Sequence, residues 1–139
     1  NPTVLARTVM DSMSCSHTEA GRWAAPVGRA AGNHCGYCVP CIIRRAATAA
    51  AGVEDARYDI DVLTDPPDAS TGMGADLRAF QMAVERFADA PSHETLFRVL
   101  ATGPLPPEDA ADYAAVYSRG MVEVGRLLMA RRFDGRRTD

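Results

Sequence analysis

Four cysteines are the residues of this chain whose type and spacing could do chemistry. Three of them, Cys35, Cys38 and Cys41, lie in the stretch HCGYCVPCIIRRAA with two-residue gaps, and the fourth is Cys15. Short C-x-x-C loops bring two thiolates to one point, and a tetrahedral Zn²⁺ ion takes four such ligands at about 2.3 Å. The spacing therefore predicts a closed four-cysteine zinc site. Its metal would be structural, because no coordination position is left open for water.

Two other uses of these sulfurs stay open at the level of the sequence. An even number of cysteines also allows two disulfides, although overlapping C-x-x-C loops give poor disulfide geometry. Residues 38–41 have the form of a thioredoxin-type redox pair, but no βαβ pattern surrounds them and the other two cysteines would be surplus. His17 and His34 adjoin the cysteines and could replace one ligand. More commonly, such imidazoles donate to the ligands or lie in solvent.

The flanking residues indicate how the cysteines are positioned. Gly36 allows a tight turn, and Pro40 suits the first turn of a helix that is predicted from Cys41 to Ala51 and closed by Gly52. The positive N-terminal end of that helix would lower the cost of clustering negative sulfur. The irregular residues 16–33 are predicted to form a loop.

Apolar residues at helical spacing predict four further helices. One opens the chain before Cys15, two follow an extended acidic connection over residues 54–68, and the longest runs from about Glu108 to Arg132. Ser92 is the expected N-cap of the third of these helices. In chain order their apolar positions are Leu5, Val9 and Met13; Leu77, Phe80, Val84 and Phe87; Leu96, Phe97 and Leu100; and Tyr113, Tyr117, Met121, Val124 and Leu128.

The predicted fold class is mostly α, because no alternating strand pattern of useful length occurs. We expect a small helical domain with the zinc site on a loop and a helix N-terminus. The 139 residues correspond to one domain, with a zinc region at 10–52 and a helical region at 73–133. Since the chain starts at Asn1 rather than Met, we expect it to be part of a longer protein.

Composition argues against two classes of partner. All 15 basic residues are arginine and 18 residues are acidic, so the net charge is −3, with both signs spread along the chain. This balance offers no general attraction to nucleic acid or to an anionic membrane. No run approaches the roughly 18 apolar residues of a membrane helix, and the start NPTVLARTVMDSM lacks a signal pattern. We expect a bacterial cytoplasmic setting, where thiols and metal thiolates are commoner than disulfides.

The cysteine motif resembles that of a known family. Ser14-Cys15, the run HCGYCVPCIIRRAA and the later Ala51-Gly52 are similar to the C-terminal zinc region of the 7-cyano-7-deazaguanine synthase family, QueC. The family pattern is S-C, a gap, C-G-x-C-x-x-C-x-x-R, and a helix that ends in A-G. The stretch NPTVLARTVMDSMSCSH resembles still more closely the QueC-like branch of the Qat anti-phage defence systems, QatC. The resemblance covers about residues 10–52.

The resemblance implies a ligand set and an activity. Cys15, Cys35, Cys38 and Cys41 fall on the family's zinc ligands, and Arg44 falls on its arginine one helical turn later. The family enzyme is a PP-loop ligase of queuosine biosynthesis that adenylates a 7-deazaguanine carboxylate and, with ammonia, converts it through an amide to a nitrile. Its S-G-G-x-D-S loop for ATP and Mg²⁺ is absent from these residues. The chain would then be the C-terminal part of an α/β PP-loop protein, inactive alone.

Two departures from the family pattern bear on function. The gap after Cys15 is longer than in typical queuosine-pathway members, and the sequence from Asp76 onward has no counterpart in them. The longer gap bears on any substrate contact that residues 16–34 would carry, and the sequence from Asp76 onward is closer to the defence-associated branch. That branch would bring partner proteins of the defence system, or a homodimer, into consideration by resemblance alone.

Two functions follow from the sequence. In the first, zinc fixes residues 16–34 and the following helix as one wall of an active site shared with a PP-loop domain. Arg44 and Arg22 would contact a phosphate or carboxylate there, and Trp23 would stack on a purine-like ring. The simpler interpretations are a solvated helix face for the arginines and a core anchor for the tryptophan. The alternative function is a stand-alone zinc-ribbon module that binds a protein or, against its net charge, nucleic acid.

Overall fold

The computed structural model describes residues 2–17, 33–53, 55, 57–90 and 92–134. In these ranges the fold is mostly helical, as predicted, and contains no extended strand. The helices are α1 at Pro2–Asp11, α2 at Val39–Ala51, α3 at Gly72–Ala88, α4 at Ser92–Leu100 and α5 at Ala110–Asp134, with a 3₁₀ turn at Pro107–Asp109. Among the described helices, none has the length and apolar character needed to cross a membrane.

Helix α5 is the central element, and α2, α3 and α4 all pack against it. The apolar core lies where α2, α3 and α5 meet. Its buried members are Ile42, Ala46, Val62, Leu77 and Val124. Val62 comes from the connection between α2 and α3, so that connection closes over the core as well as joining two helices.

Local sequence explains where α2 and α3 begin and end. α2 starts two residues earlier than predicted, and Pro40 occupies its first turn. Gly52 ends it as predicted, in the left-handed conformation with φ 63°, and its N–H donates to the carbonyl of Ala49. The Thr71 hydroxyl caps α3 by accepting the N–H of Gly74 at 3.3 Å.

The apolar stripes of α4 and α5 are only partly buried. On α5, Met121 and Val124 are buried, whereas Tyr113 is 48% exposed. On α4 the buried side chains are Thr95 and Val99, and Phe97 is 66% exposed. Helical spacing identifies which residues share a face, but the neighbouring helices decide which face is covered.

Helix α1 is attached through the end of its backbone. The Arg44 guanidinium of α2 donates to the carbonyls of Val9 and Ser12 and to the Ser12 hydroxyl. The last carbonyls of a helix have no intrahelical partner, and an arginine can satisfy them. Arg44 thereby fixes the direction in which the chain leaves α1 and approaches Cys15.

Candidate metal centre

The four cysteines lie together in one buried cluster. Cys35, Cys38 and Cys41 have no exposed surface, and Cys15 is 6% exposed. All four are free, so no disulfide forms among them. The Sγ atoms of Cys35 and Cys41 are 3.8 Å apart.

The cluster is built on a tight turn that leads into the first turn of α2. The N–H of Cys38 donates to the Sγ of Cys35 at 3.4 Å. The carbonyl of Cys38 then accepts the N–H of Ile42 at 3.0 Å, which is the first hydrogen bond of the helix. Cys41 lies in that first turn, so the sulfurs gather at the positive end of the helix dipole.

Gly36 meets a steric requirement of this turn. Its φ of 88° is a conformation that other L-residues rarely adopt. A Cβ atom at Gly36 would lie 1.9 Å from the carbonyl oxygen of Ile60. The backbones are close here because Ile60 donates to the carbonyl of Cys35 at 3.2 Å, and Asp59 to that of His34 at 2.9 Å. The segment after α2 thus closes one side of the cluster.

Two histidines border the sulfurs. The Nδ1 of His17 is 3.6 Å from the Sγ of Cys35. His34 is 1% exposed, and its Nδ1 is 3.9 Å from the Sγ of Cys41. The ligand atoms that all lie within 4.8 Å of one another belong to Cys15, His17, Cys35 and Cys38. Cys41, the fourth ligand that the sequence predicts, is not in this group, although its Sγ lies against that of Cys35. His17 is therefore a candidate ligand. Its position two residues after Cys15 was the sequence signal for this role.

These separations suit a tetrahedral metal ion. Two sulfurs bound at about 2.3 Å stand roughly 3.8 Å apart, and a bound sulfur and nitrogen stand about 3.6 Å apart. The distances from Cys35 to Cys41 and from Cys35 to His17, 3.8 and 3.6 Å, agree with both values. A buried set of thiol and imidazole ligands is chemically suited to zinc rather than to magnesium or calcium. The cluster could therefore hold a metal ion.

The ionisation of the sulfurs is uneven. The contact between the sulfurs of Cys35 and Cys41 lowers the pKa of Cys35. The same contact raises the pKa of Cys41, and burial raises the pKa of Cys15. The hydrogen bond to Cys35 raises the pKa of His17. A bound divalent ion would favour the thiolate form and allow every ligating thiol to lose its proton.

A polar network supports the cluster from the side of α2. Asp55 accepts from the Nε of Arg44 at 2.7 Å, from the Oγ1 of Thr48 at 3.0 Å and from the hydroxyl of Tyr58. Burial raises the pKa of Tyr58, so its hydroxyl keeps the proton that it donates. The Tyr58 ring lies 5.6 Å from the ring of His34. The network thus helps to fix the imidazole next to the sulfurs.

Arg44, which the sequence predicts as a substrate contact, lies one helical turn after Cys41 and is bound within the chain. Its side chain is 10% exposed, and its guanidinium donates to Asp55 and to the end of α1. Arg44 also lines a cavity of about 400 Å³ between α1 and α2. Arg22 and Trp23, which the sequence predicts as further substrate contacts, lie outside the described residues.

Arg45 is bound within the chain instead of forming a solvated face. It pairs with Asp61 at 2.6 Å, and its guanidinium carbon lies 5.5 Å from the centre of the Tyr58 ring. The Asp61 carboxylate also accepts the N–H of Leu63 at 2.8 Å. Arg45 therefore ties α2 to the connection that follows it.

Comparisons with known proteins place no relative beside this chain. No family model, no curated protein and no solved structure matches it. The description of the candidate metal centre therefore rests on its own geometry: buried free thiols, two adjacent imidazoles and separations that suit tetrahedral coordination.

Proposed function

We propose that this chain is the zinc-bearing C-terminal part of a QueC-like ATP-dependent ligase, with a structural role for the metal. The observation that carries the proposal is the run C-G-x-C-x-x-C-x-x-R, whose cysteines join Cys15 in one buried cluster at a helix N-terminus. Catalytic zinc sites keep an open position for water. In this cluster four sulfurs and the imidazole of His17 surround the site, which favours a closed one.

Bound zinc would supply a cross-link by coordination. It would join Cys15 to Cys35, twenty residues further along the chain, and so close residues 16–34 into a loop. In this proposal that loop carries Arg22 and Trp23 to the substrate. The metal itself touches no reacting atom.

The cavity between α1 and α2 would belong to the wall of the shared active site. Its lining includes the hydroxyl groups of Ser12 and Ser14 beside Arg44. Met13 and Ile43, which are 46% and 48% exposed, give the neighbouring surface an apolar character that suits contact with another domain. We propose that this domain is a cytoplasmic PP-loop domain that binds ATP and Mg²⁺.

The metal part of the proposal is tested by elemental analysis. The chain, purified without chelators, should contain one zinc ion per molecule, and a strong chelator should remove it together with part of the helical circular dichroism. Protein that carries no zinc and does not bind it when it is added would exclude a structural zinc site.

The ligase part is tested first on the coding DNA upstream of Asn1 in the source strain. A frame that continues into a strand, an S-G-G-x-D-S turn and a helix would support it, whereas a start codon directly before Asn1 would contradict it. The longer protein should then consume ATP with ammonia and a 7-deazaguanine carboxylate, and mass spectrometry should detect the amide or nitrile.

A stand-alone zinc module that binds a protein is the second candidate. It is favoured by the exposed apolar side chains on α4 and α5, among which Phe97 and Val116 are 66% and 57% exposed. A start codon before Asn1 would make it the leading function. A partner of a defence system or a second copy of this chain would then be sought at that surface.

A further inference from the structure

The four sulfurs and the imidazole of His17 are together one donor more than a tetrahedral ion can use. The contacts of Cys35 show the additional donor. Its Sγ lies 3.8 Å from the Sγ of Cys41 and 3.6 Å from the Nδ1 of His17. Both separations equal the spacing of two ligands on one tetrahedral zinc ion, about 3.8 Å for two sulfurs and about 3.6 Å for sulfur and nitrogen. His17 belongs with Cys15, Cys35 and Cys38 to the group whose ligand atoms all lie within 4.8 Å of one another, and Cys41 contacts Cys35 from outside that group, so two side chains are available for the fourth position.

The two competing donors are held by different parts of the chain. Cys41 is fully buried in the first turn of α2. His17 is half-buried and lies on the segment after Cys15, to whose Sγ its N–H donates at 3.4 Å. The His17 ring packs 5.2 Å from the ring of Tyr37, which keeps the imidazole against the sulfurs.

We propose that His17 is a reserve ligand, which takes the fourth coordination position when the thiolate of Cys41 is lost. This inference rests on the proposed zinc site. Cys15, Cys35 and Cys38 hold the ion in both states. In the intact protein Cys41 completes the set, because a thiolate neutralises more of the cation's charge than an imidazole does and because α2 already holds it in place. The site would thus support two ligand sets, four sulfurs or three sulfurs and one nitrogen.

Variants at the two competing positions test this directly. Cys41→Ser and His17→Ala are each expected to keep one zinc ion per chain, whereas the double variant should lose it. Since loss of groups that only support a ligand costs 10–100-fold in metal affinity, the double variant should bind at least about 100-fold more weakly than either single variant. Cobalt(II) serves as the spectroscopic probe. Its thiolate charge-transfer absorption should fall in Cys41→Ser by the contribution of one of the four sulfurs. The absorption should stay unchanged in His17→Ala.

A kinetic measurement does not depend on replacing a cysteine. A reserve ligand recaptures an ion that has lost one thiolate, so zinc should pass from His17→Ala to a chelator about tenfold faster than from the intact protein. His93→Ala, which removes an exposed imidazole elsewhere, is the matched control and should transfer zinc at the intact rate.

The outcomes separate this inference from the proposed site. Intact protein that binds no zinc would overturn both the proposed zinc site and the reserve role of His17. Intact protein that binds zinc, combined with a Cys41→Ser variant that folds and loses it, would overturn the reserve role alone. Equal transfer rates in the intact protein and His17→Ala would also overturn it. A loss of nitrogen coordination in His17→Ala, seen in the cobalt spectrum, would make His17 a permanent ligand and overturn it as well.

Discussion

The residues around the four cysteines, called the sulfur-rich region below, and the helical region formed by α3 to α5 are held together by different forces. Around the sulfurs, the side chains with no exposed surface are mainly cysteines, and hydrogen bonds between distant residues join their backbones. In α3 to α5 the buried side chains are mainly apolar, such as Leu77, Val99 and Met121. Apolar burial is roughly proportional to area, so it can be lost in parts. Coordination fails when one essential ligand is missing, so the first region depends on a metal in a way that the second does not.

The two regions meet at α2. Its first N–H, that of Val39, donates to the carboxylate of Asp76 on α3 at 3.1 Å. Ile42, one residue after a cysteine of the cluster, is fully buried in the apolar core. Substitutions on either side of this junction should show whether the regions fail separately or together.

The largest effect is expected for Cys38→Ser. It removes a ligand that both proposed coordination sets need, and structural zinc is worth about 10–16 kcal/mol of apparent binding free energy. We expect the zinc to be released and the sulfur-rich region to unfold, which elemental analysis and thermal melting would detect. Leu77→Ala is the control in the helical region and should lower stability while keeping the metal. Unchanged zinc content and melting in Cys38→Ser would contradict the contrast between the regions.

The next largest effect is expected for Ile42→Ala. Loss of a fully buried isoleucine side chain costs about 2–5 kcal/mol of unfolding free energy. Ile43→Ala, at a position 48% exposed, should change that free energy by no more than about 0.5 kcal/mol. Urea unfolding of the zinc-loaded proteins measures both. If Ile42→Ala also loses its zinc under native conditions, the two regions open as one unit, and the contrast between them is contradicted.

A smaller effect is expected for Gly36→Ala, which tests the turn between Cys35 and Cys38. The left-handed conformation alone costs about 1–2 kcal/mol for alanine, and the contact with the Ile60 carbonyl adds to that cost. Gly52→Ala is the matched control, because Gly52 also has a positive φ but no atom within 4 Å of the added Cβ. Gly36→Ala should destabilise more and weaken zinc binding. Equal losses of stability in the two variants would show that the contact between the added Cβ and the Ile60 carbonyl does not add to the cost.

The smallest effect is expected for Asp61→Asn at pH 7, about 0.5–1 kcal/mol, because the pair with Arg45 is partly exposed. Arg45 lowers the pKa of Asp61 in the folded protein. The pair therefore stabilises above the unfolded pKa of about 3.9, and its contribution disappears as the pH falls through the lower, folded value. The difference between intact protein and variant should shrink to zero in acid. Asp65→Asn, at an exposed neighbouring position, is the control for the loss of one surface charge at pH 7.

Local features of the sequence predict much of this structure. The helix after the last cysteine, its end at Gly52 and the tight turn at Gly36 each follow from the conformational preference of one residue type. Repeated apolar spacing predicts the remaining helices and the mostly α fold class, because a 3.6-residue period needs only nearby residues. Cys35, Cys38 and Cys41 could be grouped in advance because two-residue gaps restrict where thiols can point, whereas Cys15 was added only as the remaining cysteine of the chain.

Contacts between distant residues could not be predicted in the same way. The pairing of His34 with Tyr58 and the approach of Ile60 to Gly36 join segments more than twenty residues apart, and no local pattern specifies such a partner. The same limit applies to Arg44, whose acceptors lie in α1 and at Asp55. His17 carried a local signal, its closeness to Cys15, but only the folded chain brings it to Cys35.

Cys41 and Ile42 are adjacent in α2, yet one side chain belongs to the sulfur cluster and the other to the apolar core. A short helix opens as a cooperative unit, so its amides exchange with deuterium through shared opening events. Chelation should therefore speed exchange along α2 as far as Ala46, whose side chain is buried in the core more than one helical turn after Cys41. Exchange that accelerates only up to Cys41 would mean that the helix is divided between two independently opening units.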